Sequence, residues 1–424
     1  PSDKNYHECL FESLKCYNND VAVYIRDNLC EGEININHIC FLCRNYEFFP
    51  EDFNEINTIY DLCNYNYVFL LEKVMKDVTI NINEKVENKT PLKIAVDNKF
   101  MDIVSILMNH DGIEIGDDSF SNCDLLTRFE IPECATFIGK NAFNHCKNLS
   151  YISIPDSVTC IEIGAFECCE NLKEVKISPN SSLKKIDDRC FYGCKSLSAL
   201  MIPKSVESIG KSSFEGCESL IDFELPQSIT VVDDCLFKNC KSLKQIIVPH
   251  LVTLIGNRSF CNCSSMTQIS FSSSVTEIKD GAFEGCSSLA QILIPSSVHS
   301  IGCHSFSNCS SIKEISIPSS ITVIKASTFK KCTSLEKVAI PPSVTAIEKE
   351  AFLCCSSLLS VSLPSSITVI GNHAFCGCSK ITEITIPPLL SVVDEFLFEG
   401  CKSLKNVVIP SSVKIIGQFA FEGC

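Results

Sequence analysis

No stretch of this chain approaches the roughly 18 consecutive apolar residues that a bilayer-spanning helix requires, so no membrane segment is expected within it. Basic residues are in the minority: 36 Lys and Arg stand against 51 Asp and Glu, a net charge of −15. Binding to a phosphate backbone needs clustered Lys and Arg, and a nucleic-acid partner is therefore not expected. Neither a G-x-S-x-G elbow nor a glycine-rich phosphate loop occurs. The 8 His are scattered, with His145, His250, His299, His304 and His373 at unrelated points, so no Cys–His pair suggests itself. Neither an enzyme nor a cofactor is expected. The chain begins at Pro1 and stops at Cys424 in mid-pattern, which reads as a fragment. Its 424 residues are too many for one ordinary core, and 45% hydrophobic against 21% charged fits folded protein.

What the chain has in abundance is regularity. Phe occurs at 120, 143, 166, 191, 214, 237, 260, 283, 306, 329, 352, 375, 398 and 421, every interval being 23 residues except the 25 from 166 to 191. Cys follows three residues after each of these Phe, and Leu, Ile or Met six residues after, as in Leu149, Met266 and Ile381. Apolar pairs come at plus nine and plus eleven, such as Ile152 and Ile154 or Ile292 and Ile294, commonly followed by Pro. Val or Ile recurs at plus fifteen and plus eighteen, as Val158 and Ile161. The unit reads F-x-x-C-x-x-L-x-x-I-x-I-P-x-x-V-x-x-I-G-x-x-A.

Twenty-three residues cannot bury their own apolar side, whereas stacked coils share one core. The I-x-I pair has period two and predicts a short strand with both side chains inward. Pro ends that strand because it has no N–H for the ladder. V-x-x-I-G allows a second extended piece, and A-F-x-x-C turns the corner. At roughly 4.8 Å per stacked strand, thirteen coils extend about 60 Å. The two extra residues fall in Ser178-Pro179-Asn180-Ser181-Ser182, which can bulge outward. Phe143, Cys146, Phe214, Cys217, Phe283, Cys286, Phe352 and Cys355 are typical core positions of the repeat, and the cysteines are expected as an inward column of small, soft side chains.

Ala282-Phe283-Glu284-Gly285-Cys286-Ser287-Ser288-Leu289 followed by Ile292-Leu293-Ile294-Pro295 resembles the BspA-like leucine-rich repeats of bacterial and protist surface proteins. The resemblance covers about 116–424. It implies a repeat solenoid of short parallel strands, and adhesion to host or extracellular matrix proteins by analogy.

Residues 1–115 lack the repeat and carry 20 acidic against 10 basic side chains. There Thr90-Pro91-Leu92-Lys93-Ile94-Ala95 resembles the ankyrin signature T-P-L-H-x-A, with Lys93 at the His position. A shift of 33 aligns Leu92 with Ile59, Ala95 with Leu62, Val104 with Leu71 and Leu107 with Val74. The resemblance implies a small α-helical domain over 1–115, with Leu10, Leu14, Val23 and Ile25 in a further divergent unit or cap. Cys30, His38, Cys40 and Cys43 have spacing compatible with zinc, but Cys40 and Cys43 also fit one buried helix face, and no metal site is assigned. Many unpaired thiols favour a reducing, cytoplasmic setting over the cell surface.

Outward strand positions are plus eight and plus ten. Gln245, Ile247, Gln268, Ser270, Gln291 and Leu293 mix amides with apolar side chains, and are the expected partner-binding residues. The expected function is a non-enzymatic protein–protein interaction scaffold, with a surface adhesin as the alternative. Oligomeric state is not legible.

Overall fold

In a computed structural model of the chain, the structure describes residues 13, 22–23, 57–66, 68, 71–72, 75 and 81–424. The chain divides into two compact units, Pro1–Glu114 and Ile115–Cys424.

The second unit is a parallel-strand solenoid with the 23-residue spacing. On one side the I-x-I segments form strands Arg128–Glu130, Tyr151–Ile154 and Glu174–Ile177, then Gln245–Ile247 with Gln268–Ser270, Glu314–Ser316 with Lys337–Ala339 and Ser360–Val361, and Glu383–Thr385 with Asn406–Val408. Equivalent residues of successive coils lie opposite one another, Ile152↔Val175 and Ile246↔Ile269 among them. V-x-x-I makes a second ladder, beginning with Phe137–Ile138, Cys160–Ile161, Lys185–Ile186 and Ser208–Ile209. Tyr151 faces Glu174 on the first ladder and Cys160 faces Lys185 on the second. The two extra residues are therefore absorbed between the ladders, where Asn180 is exposed and Ser182 N donates to Asp156 O at 3.1 Å.

The corner carries a third set of bonds that the repeat pattern did not announce. Asn141 N donates to Ile163 O, Phe143 N to Ala165 O and His145 N to Glu167 O, at 2.9, 2.7 and 2.8 Å, and this arrangement recurs along the stack. Alternate N–H groups point to the next coil because the residues two before and two after each Phe have positive φ, 53° at Asn141 and 57° at His145. Gly and Asn tolerate that conformation best, and they occupy the second of these positions in ten of the fourteen coils, Asn262 and Gly285 for example. In the other four coils bulkier residues are held there, including Lys331 and Cys354 at 59°.

The fourteen Phe form one column, buried throughout except at the terminal Phe421. Successive ring centroids are 5.0 to 5.7 Å apart and the planes lie within 16° of parallel. Phe143, Phe214, Phe283 and Phe352 are fully buried, as are Cys146, Cys217, Cys286 and Cys355. The cysteines do more than fill space. Each thiol donates to the carbonyl of the Phe in the preceding coil, Cys146 Sγ to Phe120 O at 3.0 Å and Cys286 Sγ to Phe260 O at 3.2 Å. Among the described residues no cysteine is joined in a disulfide.

Coils also alternate. Gly at the I-G position brings its backbone against the preceding coil, whose acid then bonds across. Asp117, Asp188, Asp234 and Asp280 Oδ1 accept from the N–H of Lys140, Lys211, Asn257 and Cys303, each the residue after such a Gly. At Gly256 an added Cβ would lie 2.7 Å from Asp233 C and Asp234 N, whereas at Gly116 it would meet only Ser119 Oγ at 4.0 Å. Gly256→Ala is accordingly expected to destabilise the solenoid by about 1–3 kcal/mol through overpacking, and Gly116→Ala to be nearly neutral. Chemical denaturation of both variants checks this; equal effects would contradict it.

In the first unit, helices Asn57–Asn64, Pro91–Asp97 and Met101–Met108 are described. Thr90 accepts from Lys93 N and Pro91 opens the second helix, where its missing N–H costs nothing. Ile59, Leu62, Leu71, Leu92, Ala95, Val104 and Leu107 are buried, and Asn98 Nδ2 ties the first helix by donating to Asn64 O at 3.3 Å and Oδ1 at 3.1 Å. Lys89 and Lys93 both pair with Asp97, at 2.8 and 2.9 Å. Val74, Leu10, Leu14 and Ile25, and the zinc candidates Cys30, His38, Cys40 and Cys43, lie outside the described residues; Val23 is exposed. Among the described residues no helix is long and apolar enough to cross a membrane.

Candidate functional site

Period-two alternation in the I-x-I strand points plus nine and plus eleven inward and leaves plus eight and plus ten to solvent. In Gln245–Ile247 the outer two residues are exposed and Ile246 is buried, and Gln268–Ser270 repeats the pattern. Gln268 Nε2 donates to Gln245 Oε1 at 3.0 Å, the start of an amide ladder between coils. Gln291 and Leu293 are exposed too, Leu293 at 81%, but their segment forms no strand, so the hydrogen-bonded strip ends at Ser270.

A concavity lies on the other side of Gln245. A groove of about 600 Å³ is lined by Ala199 and Met201, Asp222 and Glu224, and Gln245 and Ile247, with Phe223 on its floor. These six are the plus-eight and plus-ten residues of three successive coils. Here the ladder thins to the single bridges Ala199↔Asp222 and Asp222↔Gln245. Phe223 stands where most coils have Ile or Val, its ring tilted against Phe214 and Phe237 at 4.7 and 5.0 Å. Met201 is 67% and Ile247 71% exposed. The strip expected from the sequence shares Gln245 and Ile247 with this groove, which extends two coils further toward the start of the chain; a sequence signal for it is Phe223 at a branched-aliphatic position. A smaller groove of about 460 Å³ lies over Glu314, Ser316, Lys337 and Ala339, where Glu314 and Lys337 neutralise each other at 3.0 Å.

The buried ladder thiols are poorly suited to act as nucleophiles. Burial pushes Cys194, Cys240 and Cys309 well above the ordinary thiol range, and a protonated thiol is a poor attacker. Cys376 is held at about 12 by burial and by the Glu399 carboxylate beside it. Among the described residues no group of three or more His, Cys, Asp or Glu is placed to hold a metal.

A family model described as the BspA type leucine rich repeat region (6 copies) matches residues 98–217, 184–313 and 299–424, and the chain belongs to that family. No curated protein matches it. Among solved structures, a leucine-rich repeat protein from Bacteroides ovatus is 29% identical, with 70% of this chain and 84% of that one covered and a TM-score of 0.61. A leucine rich cell surface protein from Faecalibacterium prausnitzii is also 29% identical, covering 70% and 82%, with a TM-score of 0.46. The pneumococcal vaccine antigen PcpA is 20% identical over 69% and 78%, with a TM-score of 0.48.

Proposed function

We propose that the chain is a non-enzymatic scaffold that binds proteins through the I-x-I strand face of its solenoid. The observation that carries this is the face itself: Ile247 and Leu293 are exposed at 71% and 81% among amide side chains that a partner can desolvate at low cost. Gln245, Gln268, Ser270 and Gln291 supply hydrogen-bonding groups beside these anchors. Both anchors point to water, so replacing them leaves the core intact. The double variant Ile247→Asp/Leu293→Asp should melt like the parent while losing most capture of any partner recovered by the full chain. Undiminished capture would remove the face from consideration and turn attention to the first unit, near Asp97 and Asp102.

For that unit the reading is a pair of ankyrin-like helical repeats forming the domain 1–115, supported by the T-P-L-x-x-A capping geometry at Thr90. The adhesin reading, capture of host or extracellular matrix proteins at a cell surface, is supported by family membership and uses the same face.

A further inference from the structure

The groove over residues 199–247 has a charge pattern that specifies more than a generic protein contact. Its two columns run Ala199, Asp222, Gln245 and Met201, Glu224, Ile247 across three coils. Both columns thus carry a carboxylate in the central coil, and the second places that carboxylate between two long, exposed apolar side chains. No Lys, Arg or His lines the groove.

Several acids elsewhere on the solenoid are answered from a neighbouring coil. Glu215 pairs with Lys238 at 2.9 Å, Glu218 with Lys241 at 2.9 Å, Glu170 with Lys195 at 3.0 Å and Glu314 with Lys337 at 3.0 Å. Asp222 and Glu224 have no ion-pair partner among the described residues. They sit two residues apart on one face of an extended segment, close enough for one guanidinium to reach both carboxylates. The volume falls within the ~300–1,000 Å³ typical of sites that enclose a small ligand or a few side chains.

We propose that this groove binds an extended peptide segment of a partner protein in which Arg or Lys alternates with aliphatic residues. The cation sits over Asp222 and Glu224, and its neighbours pack on Met201 and Ile247. This rests on the reading of the strand face as a binding surface and narrows it to one place and one ligand chemistry. The stem of a long basic side chain adds to the contact by lying along the apolar rim while its head stays with the carboxylates.

The test uses the full chain and three fluorescein-labelled hexapeptides of alternating residues: leucine–arginine, leucine–glutamine and leucine–glutamate. Polarisation titrations should show the arginine peptide binding at least about tenfold more tightly than the glutamine peptide, with the advantage shrinking as salt rises and the glutamate peptide not binding. Asp222→Asn/Glu224→Gln should abolish that advantage, while Glu314→Gln leaves it unchanged, each variant keeping the parent's circular dichroism melt. An equal loss in the Glu314→Gln variant would mean attraction to the −15 net charge alone and overturn the proposal. So would failure of the arginine peptide to bind the parent chain. If the glutamine peptide binds as tightly as the arginine one, and Ile247→Asp abolishes both, the face survives as a binding surface and only the cationic ligand is rejected.

Discussion

Phe283→Ala is expected to lower the stability of the solenoid by about 3–5 kcal/mol, and Phe421→Ala by far less. Phe283 is fully buried, stacked between Phe260 and Phe306 at 5.3 and 5.5 Å, with Phe271 edge-on at 5.8 Å. Truncating it leaves a ring-sized void that cannot collapse, because the V-x-x-I ladder and the corner bonds fix the spacing of the coils on either side. Phe421 is only partly buried and stacks on Phe398 alone, at 5.5 Å. In a one-dimensional stack, a terminal unit has one interface to lose. Equal shifts in the two urea midpoints would be incompatible with a stacked array.

Stability is expected to fall steeply above about pH 9. The ordinary thiol value is near 9, and burial raises Cys332 and Cys401 to about 12 and pushes Cys286 higher still. Below pH 9 folded and unfolded chains both keep these protons, and stability does not depend on pH through them. Above it the unfolded chain releases protons that the folded chain retains. The unfolded state then binds fewer protons, and each thiol contributes a loss of about 1.4 kcal/mol per pH unit until its folded value is reached. Because the ladder thiols titrate in the same window, the slopes add. A circular dichroism titration should therefore show cooperative unfolding between pH 9 and 12, and each Cys→Ala replacement within the ladder should make the slope shallower. The same burial keeps Cys217, Cys240, Cys263 and Cys286 from alkylating agents at neutral pH until the chain is denatured. A flat stability profile through pH 11, or ready labelling of the native chain, would contradict this account.

The repeat was legible because its determinants are side-chain periodicities. Phe, Cys and the I-x-I pair mark the core at fixed offsets, and stacking follows from a unit too small to fold alone. The corner was not legible in the same way, because its determinant is backbone conformation. Positive φ is satisfied by Gly216 and Asn239 but equally by Cys354 and Lys331, so residue type reports it only as an enrichment. Cysteine burial could be read from its register, whereas the thiol's bond to a carbonyl one coil away depends on where the chain places that carbonyl. The groove depended on a break in strand pairing around Phe223, and a pattern of inward and outward positions treats every coil as paired. The candidate face was thus readable as a side of the molecule, whereas the groove at residues 199–247 was not.

The alternation of acid and Gly at coil junctions makes two coils, about 46 residues, the true period over much of the array. Asp188 with Gly210, Asp234 with Gly256, and Asp280 with Gly302 are keyed couples, in which the first supplies the acceptor and the second the room for close approach. The key slips twice, between Gly139 and Gly210 and between Gly302 and Gly371; in the second gap the acid comes from the other direction, Glu348 Oε2 accepting from Ala326 N at 2.8 Å. A solenoid keyed in this way is not a string of interchangeable beads. Between Asp188 and Gly302, removing two adjacent coils leaves the remaining couples matched, whereas removing one places Asp234 beside Asp188 or Gly256 beside Gly210. Within that stretch, a change of length that preserves the couples comes in steps of two coils.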